Sequence, residues 1–472
     1  MRIQSPPFFQ LNYPGTVATV ILHDRTVVMQ GRPAWSGSPA AARAAVWFWG
    51  VPTESDTLSF DFARCARYAQ DDTGRTRRYV RDDSGRTPCC VQDDAGCRKR
   101  LRATPEAKVQ AMQAIVLVGG EGTRLRPLTY GTPKPMVPIM NVPFLARTLE
   151  RLYAAEIRDV ILAAGYMPQS IVDYFGDGMR LGMKITYAIE ETPLGTAGAL
   201  KNVEPHVTGP FFVLNGDILT SLDLRAMRQY HHEKGGLGTL HLIRVDDPSP
   251  FGCVVHDESG RVTSFVEKPP KGSETTNEIN AGTYLLEREI LDLIPPGKNV
   301  SVERSTFPEA IAQGKRLYAY TTDDYWLDLG RPEQYLAAHR DMLSGAMPLT
   351  VEPGLSGNGS DALRGHPGVI PPVHADADVV VDASATIGPN VVLGKGCSIG
   401  AGAVIRESVL WERVSVGSQA VIEEAIVASG VTIGAAAHVA KGSVIGHNIT
   451  IDPGAQLEPG ARIGSPAEGA AG

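Results

Sequence analysis

From Gln113 onward the chain alternates continuous apolar runs with helix-period stretches. "QAIVLVG", "DVILAAG" and "FFVLNGD" are short apolar runs ending near glycine, the pattern of strands buried on both faces. Between the first two, "PFLARTLERLYAAE" puts Leu145, Leu149, Leu152 and Tyr153 on one helical stripe. A second helix-like stretch, "GTAGALKNV", follows "ITYAIEE". This alternation predicts a three-layer α/β domain with a mainly parallel sheet covered by helices. The later runs "GTLHLIRV", "GCVVHDESGRVTSFVEK" and "AGTYLLE" look hairpin-like, so the second half is expected to be richer in β structure. "RPEQYLAAHRDMLSG" predicts a closing helix stopped at Gly345, which bounds this domain at residues 112–345.

The period then changes. Val381, Ile387, Leu393, Ile399 and Ile405 are six apart, as are Leu410, Val416 and Ile422. Val427 opens a third series through Ile433, Val439, Ile445, Ile451 and Leu457 to Ile463. A hexad with one inward aliphatic residue is the mark of a parallel β-helix, three hexads to a triangular coil. The phase slips by one residue at 405–410 and 422–427, where corners or bulges are expected. The β-helix is assigned to 375–464, with residues 465–472 as a tail. Residues 346–374, rich in Pro, Gly and Ser, read as a linker.

Residues 1–111 do not share these patterns. They are arginine-rich, with Lys99 and Lys108 as their two lysines, and carry a positive balance within a chain of net charge −7. "DDTGRTRRYVRDDSGRTPCCVQDDAGCRKRLR" has neither helical nor strand period and reads as disordered. "TVATVIL" and "AAVWFWGV" are expected to form isolated elements at most. This leader is read as lying outside the folded enzyme, which begins at Met112, or as an upstream translation from a misassigned start.

Bulk properties narrow the class. The hydrophobic content of 43% and the charged content of 21% are those of a globular chain. No apolar run is long enough for a membrane helix and no signal peptide opens the chain, so a cytoplasmic location without membrane attachment is expected. The negative charge argues against nucleic acid as a partner. "CCVQDDAGC" lacks the two spaced pairs of a zinc site, so the six cysteines read as free thiols.

Candidate chemistry centres on "AIVLVGGEGTRLRPLTYGTPKPMVP", residues 114–138. Glycines after a buried strand expose backbone N–H groups that can cradle phosphate. The dinucleotide fingerprint fails because Leu125 stands where its last glycine belongs, and the Walker A spacing is absent. Arg124, Arg126 and Lys134 follow the glycines among stiffening prolines, a set suited to a nucleoside triphosphate held by amides and cations.

This segment resembles the signature of the sugar-phosphate nucleotidyltransferases, or nucleotide-sugar pyrophosphorylases. "PLGTAGAL", "LNGD", "FVEKP", "INAGTYLL" and "WLDLGRPEQY" follow in that family's order, and the resemblance spans about residues 112–464. It implies a Rossmann-like three-layer domain followed by a left-handed β-helix. It also implies attack of a sugar-1-phosphate oxygen on the α-phosphorus of a nucleoside triphosphate, with release of pyrophosphate. A phosphate monoester is already nucleophilic, so alignment and charge neutralisation are what the protein must supply.

By the same resemblance, Asp217 and Asp328 bind Mg2+. Arg124 and Lys134 act on the triphosphate and Lys268 on the sugar phosphate. Val118, Gly119, Gly120, Gly122, Thr123, Gly195 and Thr196 surround the nucleotide. Glu267, Asn280 and Gly282 face the sugar. Val118, "SVERSTFPEA" and the hexad tail look most like the bacterial mannose-1-phosphate guanylyltransferases. Thymidylyl, uridylyl and cytidylyl transfer remain alternatives, because no residue is shown by the sequence to read guanine.

Readings from two other classes fit the sequence less well. An acyltransferase site in the β-helix would use a histidine, with His438 and His447 as candidates, but no long insertion interrupts the hexads. A non-catalytic regulatory subunit would show decay of the loop or the metal acids, and Gly120, Arg124, Lys134, Asp217, Lys268 and Asp328 are all present. The flat faces of a β-helix predict a homo-oligomer.

Overall fold

The structure, a computed structural model, describes residues 8–13, 16–23, 26–33, 47–50, 112–347 and 363–466. The chain divides into two units, Met1–Glu106 and Ala107–Gly472. In the first, β1 (Phe8–Tyr13), β2 (Thr16–His23), β3 (Thr26–Pro33) and β4 (Trp47–Gly50) pair in sequence order as an antiparallel meander. The sequence reading expected isolated elements there at most. The "TVATVIL" stretch and its neighbours on both sides are each long enough to pair along their full length. The arginine-rich segment that reads as disordered, residues 71–102, lies outside the described residues.

The second unit opens with β5 (Gln113–Leu117), an interior strand of a nine-stranded sheet. The strands β6 (Pro138–Ile139) and β7 (Val142–Pro143) form a small ribbon ahead of the helix α1 (Phe144–Ala154). β8 (Asp159–Ala164) and β9 (Lys184–Ile189) extend the main sheet in parallel on one side of β5, and β10 (Phe211–Asn215) extends it on the other. Alternate residues of β5 serve opposite cores. Ile115 packs in one with Val213, and Ala114 and Val116 pack in the other with Leu149 and Leu214. That two-sided burial is why the sequence is continuously apolar there.

Helices α2 (Pro168–Phe175), α3 (Gly195–Asn202) and α4 (Leu224–Lys234) cover the sheet. Asp223 caps α4, accepting hydrogen bonds from the N–H groups of Arg225 and Ala226. Leu145, Leu149 and Leu152 of α1 are fully buried, each gaining roughly 1.5–3 kcal/mol from leaving water.

The second half is β-rich, as expected. β11 (Ile218–Thr220) lies outside the main sheet, β12 (Gly238–Arg244) joins it, and β13 (Gly252–His256) and β14 (Val262–Glu267) form the hairpin. β15 (Glu278–Leu286) runs antiparallel between β10 and β12, and β16 (Leu317–Thr321) follows α5 (Phe307–Ala312). β17 (Trp326–Asp328) pairs with β11, and α6 (Pro332–Ser344) closes the domain. Gly345, at φ 81°, ends α6 in the left-handed conformation that suits glycine.

The remaining strands stack into three parallel sheets of six, five and five strands, the triangular coils of a β-helix. The hexad residues from Ile387 to Ile451 point inward and are buried. Both phase slips fall at one corner, where Glu407 and Glu424 take positive φ and make a turn one residue shorter. Coil spacing also explains a repeated glycine: a Cβ on Gly434 would lie 2.3 Å from the Pro453 nitrogen of the next coil. The β-helix begins earlier than the expected residue 375. β18 (Val373–Ala375) pairs with residues 391–393, Val369 bridges to Ile387, and Leu363 packs on the core. The Pro and Gly of residues 363–374 that read as linker are here the turn chemistry of a first coil, and residues 348–362 of the expected linker lie outside the described residues.

The β-helix docks on the α/β domain. Val392, Val409, Ile426 and Val444 point outward from one of its faces. They share an apolar cluster with Leu128, Tyr335 and Met342. Trp411 Nε1 donates to Tyr335 Oη at 3.0 Å, and Tyr335 Oη donates to the Pro138 carbonyl.

Candidate active site

Two cavities meet at the C-terminal ends of β5 and β10, where an open α/β sheet leaves a crevice. The first, of about 490 Å³, is walled by Val118, Gly119 and Gly120 after β5, by Lys134, and by Gly195 and Thr196 opening α3. Nothing lies within 4 Å of a Cβ placed on Gly120, so its backbone faces open space. Gly195 has φ 68°, and a Cβ there would lie 2.6 Å from the Val300 carbonyl oxygen. Its glycine is therefore required by the protein's own backbone. Thr196 is also committed internally: Oγ1 donates to Glu303 Oε2 at 2.8 Å and accepts from Val302 N–H at 2.8 Å.

The second cavity, of about 370 Å³, holds Arg124, Glu267, Lys268, Asn280 and Gly282. Asn280 Nδ2 donates to Tyr284 Oη at 2.7 Å, and its Oδ1 accepts from Gly282 N–H at 3.1 Å. Gly282, at φ 71°, leaves room for Asn215, whose Nδ2 would be 2.7 Å from a Cβ there. Burial, and then the charge of Glu303, holds the Glu267 carboxyl above its usual range, while Lys268 pulls it back.

Asn215 and Asp217 line both cavities. Pairing of β11 with β17 sets Ile218 opposite Asp328, which brings the two aspartates to one place from distant parts of the chain. Leu329 N–H donates to the Asp217 carbonyl at 3.0 Å and fixes that approach. Lys134 Nζ donates to Asp217 Oδ2 at 2.7 Å. Burial and the neighbouring Asp217 charge raise the Asp328 carboxyl above the ordinary aspartate value; Lys134, Arg124 and Lys268 lower it only in part. Asp328 Oδ1 and Asn215 Oδ1 are buried without a hydrogen-bond partner. Two close carboxylates and orphaned oxygens suit a hard divalent cation. Among the described residues no cluster of three or more His, Cys, Asp or Glu forms a complete protein cage. A cation held here would complete its shell from phosphate and water, as Mg2+ does.

The structure gathers Asp217, Asp328, Lys134, Lys268 and Arg124 near this junction but places two predicted residues differently. Gly122, at φ 63°, backs onto Lys134 and Thr129, and Thr123 opens a short 3-10 turn; neither lines either of these two cavities. Arg124 turns to the second cavity, its guanidinium against Gly330. Arg126 pairs with Glu121 at 3.0 Å.

Two residues escaped the sequence reading. Arg331, beside that Gly330 contact, lines the second cavity with Arg124. Glu190 stands in the wall of the first cavity, with Oε2 accepting from Leu194 N–H at 3.0 Å. Burial raises its carboxyl above the usual range. Its one sequence signal was a pair of acids, Glu190 and Glu191, directly before the glycine turn.

Comparison with known proteins agrees with this architecture. The nucleotidyl transferase family model matches residues 113–345, and the GMPPB C-terminal domain model matches 369–465. A mannose-1-phosphate guanylyltransferase from Mycobacterium tuberculosis is 42% identical over 64% of this chain and 80% of its own length. Mannose-1-phosphate guanylyltransferase 1 from Arabidopsis thaliana is 37% identical over the same shares. Among solved structures, HddC from Yersinia pseudotuberculosis complexed with GMP-PN is 32% identical, with a TM-score of 0.42, covering 48% of this chain and 97% of that one. The two domain matches and the 42% identity over 80% of the mycobacterial relative show that the chain belongs to the nucleotidyl transferase family, as a sugar-1-phosphate nucleotidyltransferase.

Proposed function

We propose that the protein transfers a guanylyl group from GTP to mannose-1-phosphate in a Mg2+-dependent reaction. The observation that carries the choice of guanine is Glu190. With Oε2 taken by Leu194 N–H, its Oε1 is left toward Gly119 in the first cavity. An ionised carboxylate only accepts hydrogen bonds. Guanine offers two adjacent donors, N1–H and the N2 amine; uracil and thymine flank one donor with two carbonyls that a carboxylate repels. The relatives named as mannose-1-phosphate guanylyltransferases point to the same base and supply the sugar.

In this reading the glycine amides at 119 and 120 and Lys134 hold the triphosphate. Lys268 and Arg124 hold the phosphate groups in the second cavity, and Asn280 and Glu267 receive sugar hydroxyls. Asp217 and Asp328 would bind Mg2+, which supplies charge neutralisation at the phosphates when bound. A sugar-phosphate oxygen forms the new bond to the α-phosphorus as the bond to the β-phosphate oxygen breaks. The leaving pyrophosphate keeps that electron pair, so no proton transfer is needed. The protein contributes in-line alignment and fixed positive charge.

The test is a substrate matrix: four nucleoside triphosphates against mannose-, glucose- and N-acetylglucosamine-1-phosphate, read as pyrophosphate release. GTP with mannose-1-phosphate should give the highest kcat/KM. A higher value for dTTP, UTP or CTP would overturn the assignment of the base, and a higher value for another sugar that of mannose.

A further inference from the structure

We propose that His447, on the β-helix, is a positioning residue for the triphosphate loop, so that the β-helix is a working part of the nucleotide site. The inference rests on reading residues 119–134 as the triphosphate cradle.

The loop does not stand alone between its glycines and Lys134. A Cβ on Gly122 would lie 3.0 Å from Lys134 Cβ and 3.1 Å from Thr129 Cγ2, so the glycine turn and the lysine are packed back to back. Thr129 Oγ1 donates to the Gly122 carbonyl at 2.9 Å and ties the same two strips together. A shift of residues 128–132 is therefore passed to the glycine turn at Gly122, which follows the amides of 119 and 120, and to the lysine.

His447 grips that strip from the other domain. Its Nε2 is 3.1 Å from Thr132 Oγ1 and 3.3 Å from the Leu128 carbonyl oxygen. A carbonyl only accepts, so Nε2 carries the proton and donates. Burial holds the imidazole below its usual pKa, which favours that neutral donor. The ring is fixed from behind by Trp411, edge-on at 5.3 Å, and Trp411 is itself tied to Tyr335. Two further contacts reach the same strip. Arg462 donates to the Arg126 carbonyl at 3.2 Å, and Pro127 sits against Gly446 and Gly464, where a Cβ would be 3.3 and 2.9 Å away.

Docking itself does not need His447. The outward face of Val392, Val409, Ile426 and Val444 supplies an apolar contact independent of it. The hydrogen bonds of His447 are aimed at the backbone and side chain of the loop that carries Lys134. That is the arrangement of a latch on the loop.

The test uses the full chain with GTP and mannose-1-phosphate. His447→Ala should raise the KM for the nucleotide about 3- to 10-fold, the range of one or two neutral hydrogen bonds. KM for the sugar phosphate and the melting temperature should stay near wild type. His447→Gln, which returns a donor at similar reach, should recover most of the loss. Thr132→Val, a milder change in the loop itself, should raise nucleotide KM too and be non-additive with His447→Ala. An unchanged nucleotide KM in both variants would overturn the proposal. So would equal rises in both substrates' KM values that follow a fall in melting temperature. Wild-type assays run in parallel separate this outcome from failure of the substrate assignment, in which the parent protein itself would not turn over.

Discussion

Glu190→Gln reverses the polarity of one contact while keeping its shape. Leu194 N–H occupies Oε2 at 3.0 Å, and it can be satisfied only by an oxygen. The glutamine must therefore present its carbonyl to Leu194 and turn its NH2 into the cavity. A donor then faces the two donors of guanine. The lost charge-assisted hydrogen bond is worth roughly 1.5–3 kcal/mol. At about 1.4 kcal/mol per decade, kcat/KM for GTP should fall about 10- to 100-fold. The same amide can donate to a pyrimidine carbonyl, so kcat/KM for dTTP or UTP should hold or rise. The assay is pyrophosphate release under competing and single nucleotides at saturating sugar phosphate. A uniform loss across all nucleotides would mean that Glu190 supports the turn and does not read the base, and an unchanged GTP preference would remove it from recognition altogether.

Asp328→Asn should abolish Mg2+-dependent turnover yet raise the melting temperature of the metal-free protein at neutral pH. The wild-type carboxyl is raised in the fold, so the folded state is penalised when pH is above that raised value and the penalty disappears as pH falls through it. The stabilisation by Asn should shrink in the same direction; a lower melting temperature for the variant at neutral pH would contradict the electrostatic reading of the pair. His339 has the opposite sign. Burial lowers its imidazole from 6.5 to about 4, so the fold binds fewer protons there than the unfolded chain does. Stability from this group is present above pH 6.5 and declines toward pH 4, with a slope of up to about 1.4 kcal/mol per pH unit. Its Nε2 accepts from Met140 N–H at 3.2 Å, a bond that protonation removes. Urea unfolding between pH 7 and 4.5 should show a shallower acid slope for His339→Gln than for wild type, and equal slopes would show that His339 does not titrate as its burial implies.

Much of the fold is written in periodicity. The strands at 113–117, 159–164 and 211–215 are buried on both faces, and their continuous apolar runs said so. The β-helix was legible because each hexad repeats one inward aliphatic position. Its docking was not noticed, although a signal existed. The pairs Val392-Leu393, Val409-Leu410, Ile426-Val427 and Val444-Ile445 add an outward apolar residue beside the inward one on a single face. Asp217 and Asp328 were singled out through resemblance, since the contact that joins them is a non-local strand pairing that no local pattern encodes. Glu190 and Arg331 were missed for the same reason: an acidic pair before a turn and a single arginine before a helix acquire meaning only from the cavities they face.

The central claim is that the junction at Asp217 and Asp328 transfers a guanylyl group intact to a sugar phosphate. It is tested most directly by following label from GTP with mannose-1-phosphate and Mg2+. Phosphorus label at the α-position should appear in the nucleotide sugar, and label at the γ-position should leave in pyrophosphate, in equal amounts. Recovery of α-label as free GMP, or of γ-label as orthophosphate without pyrophosphate, would contradict the account.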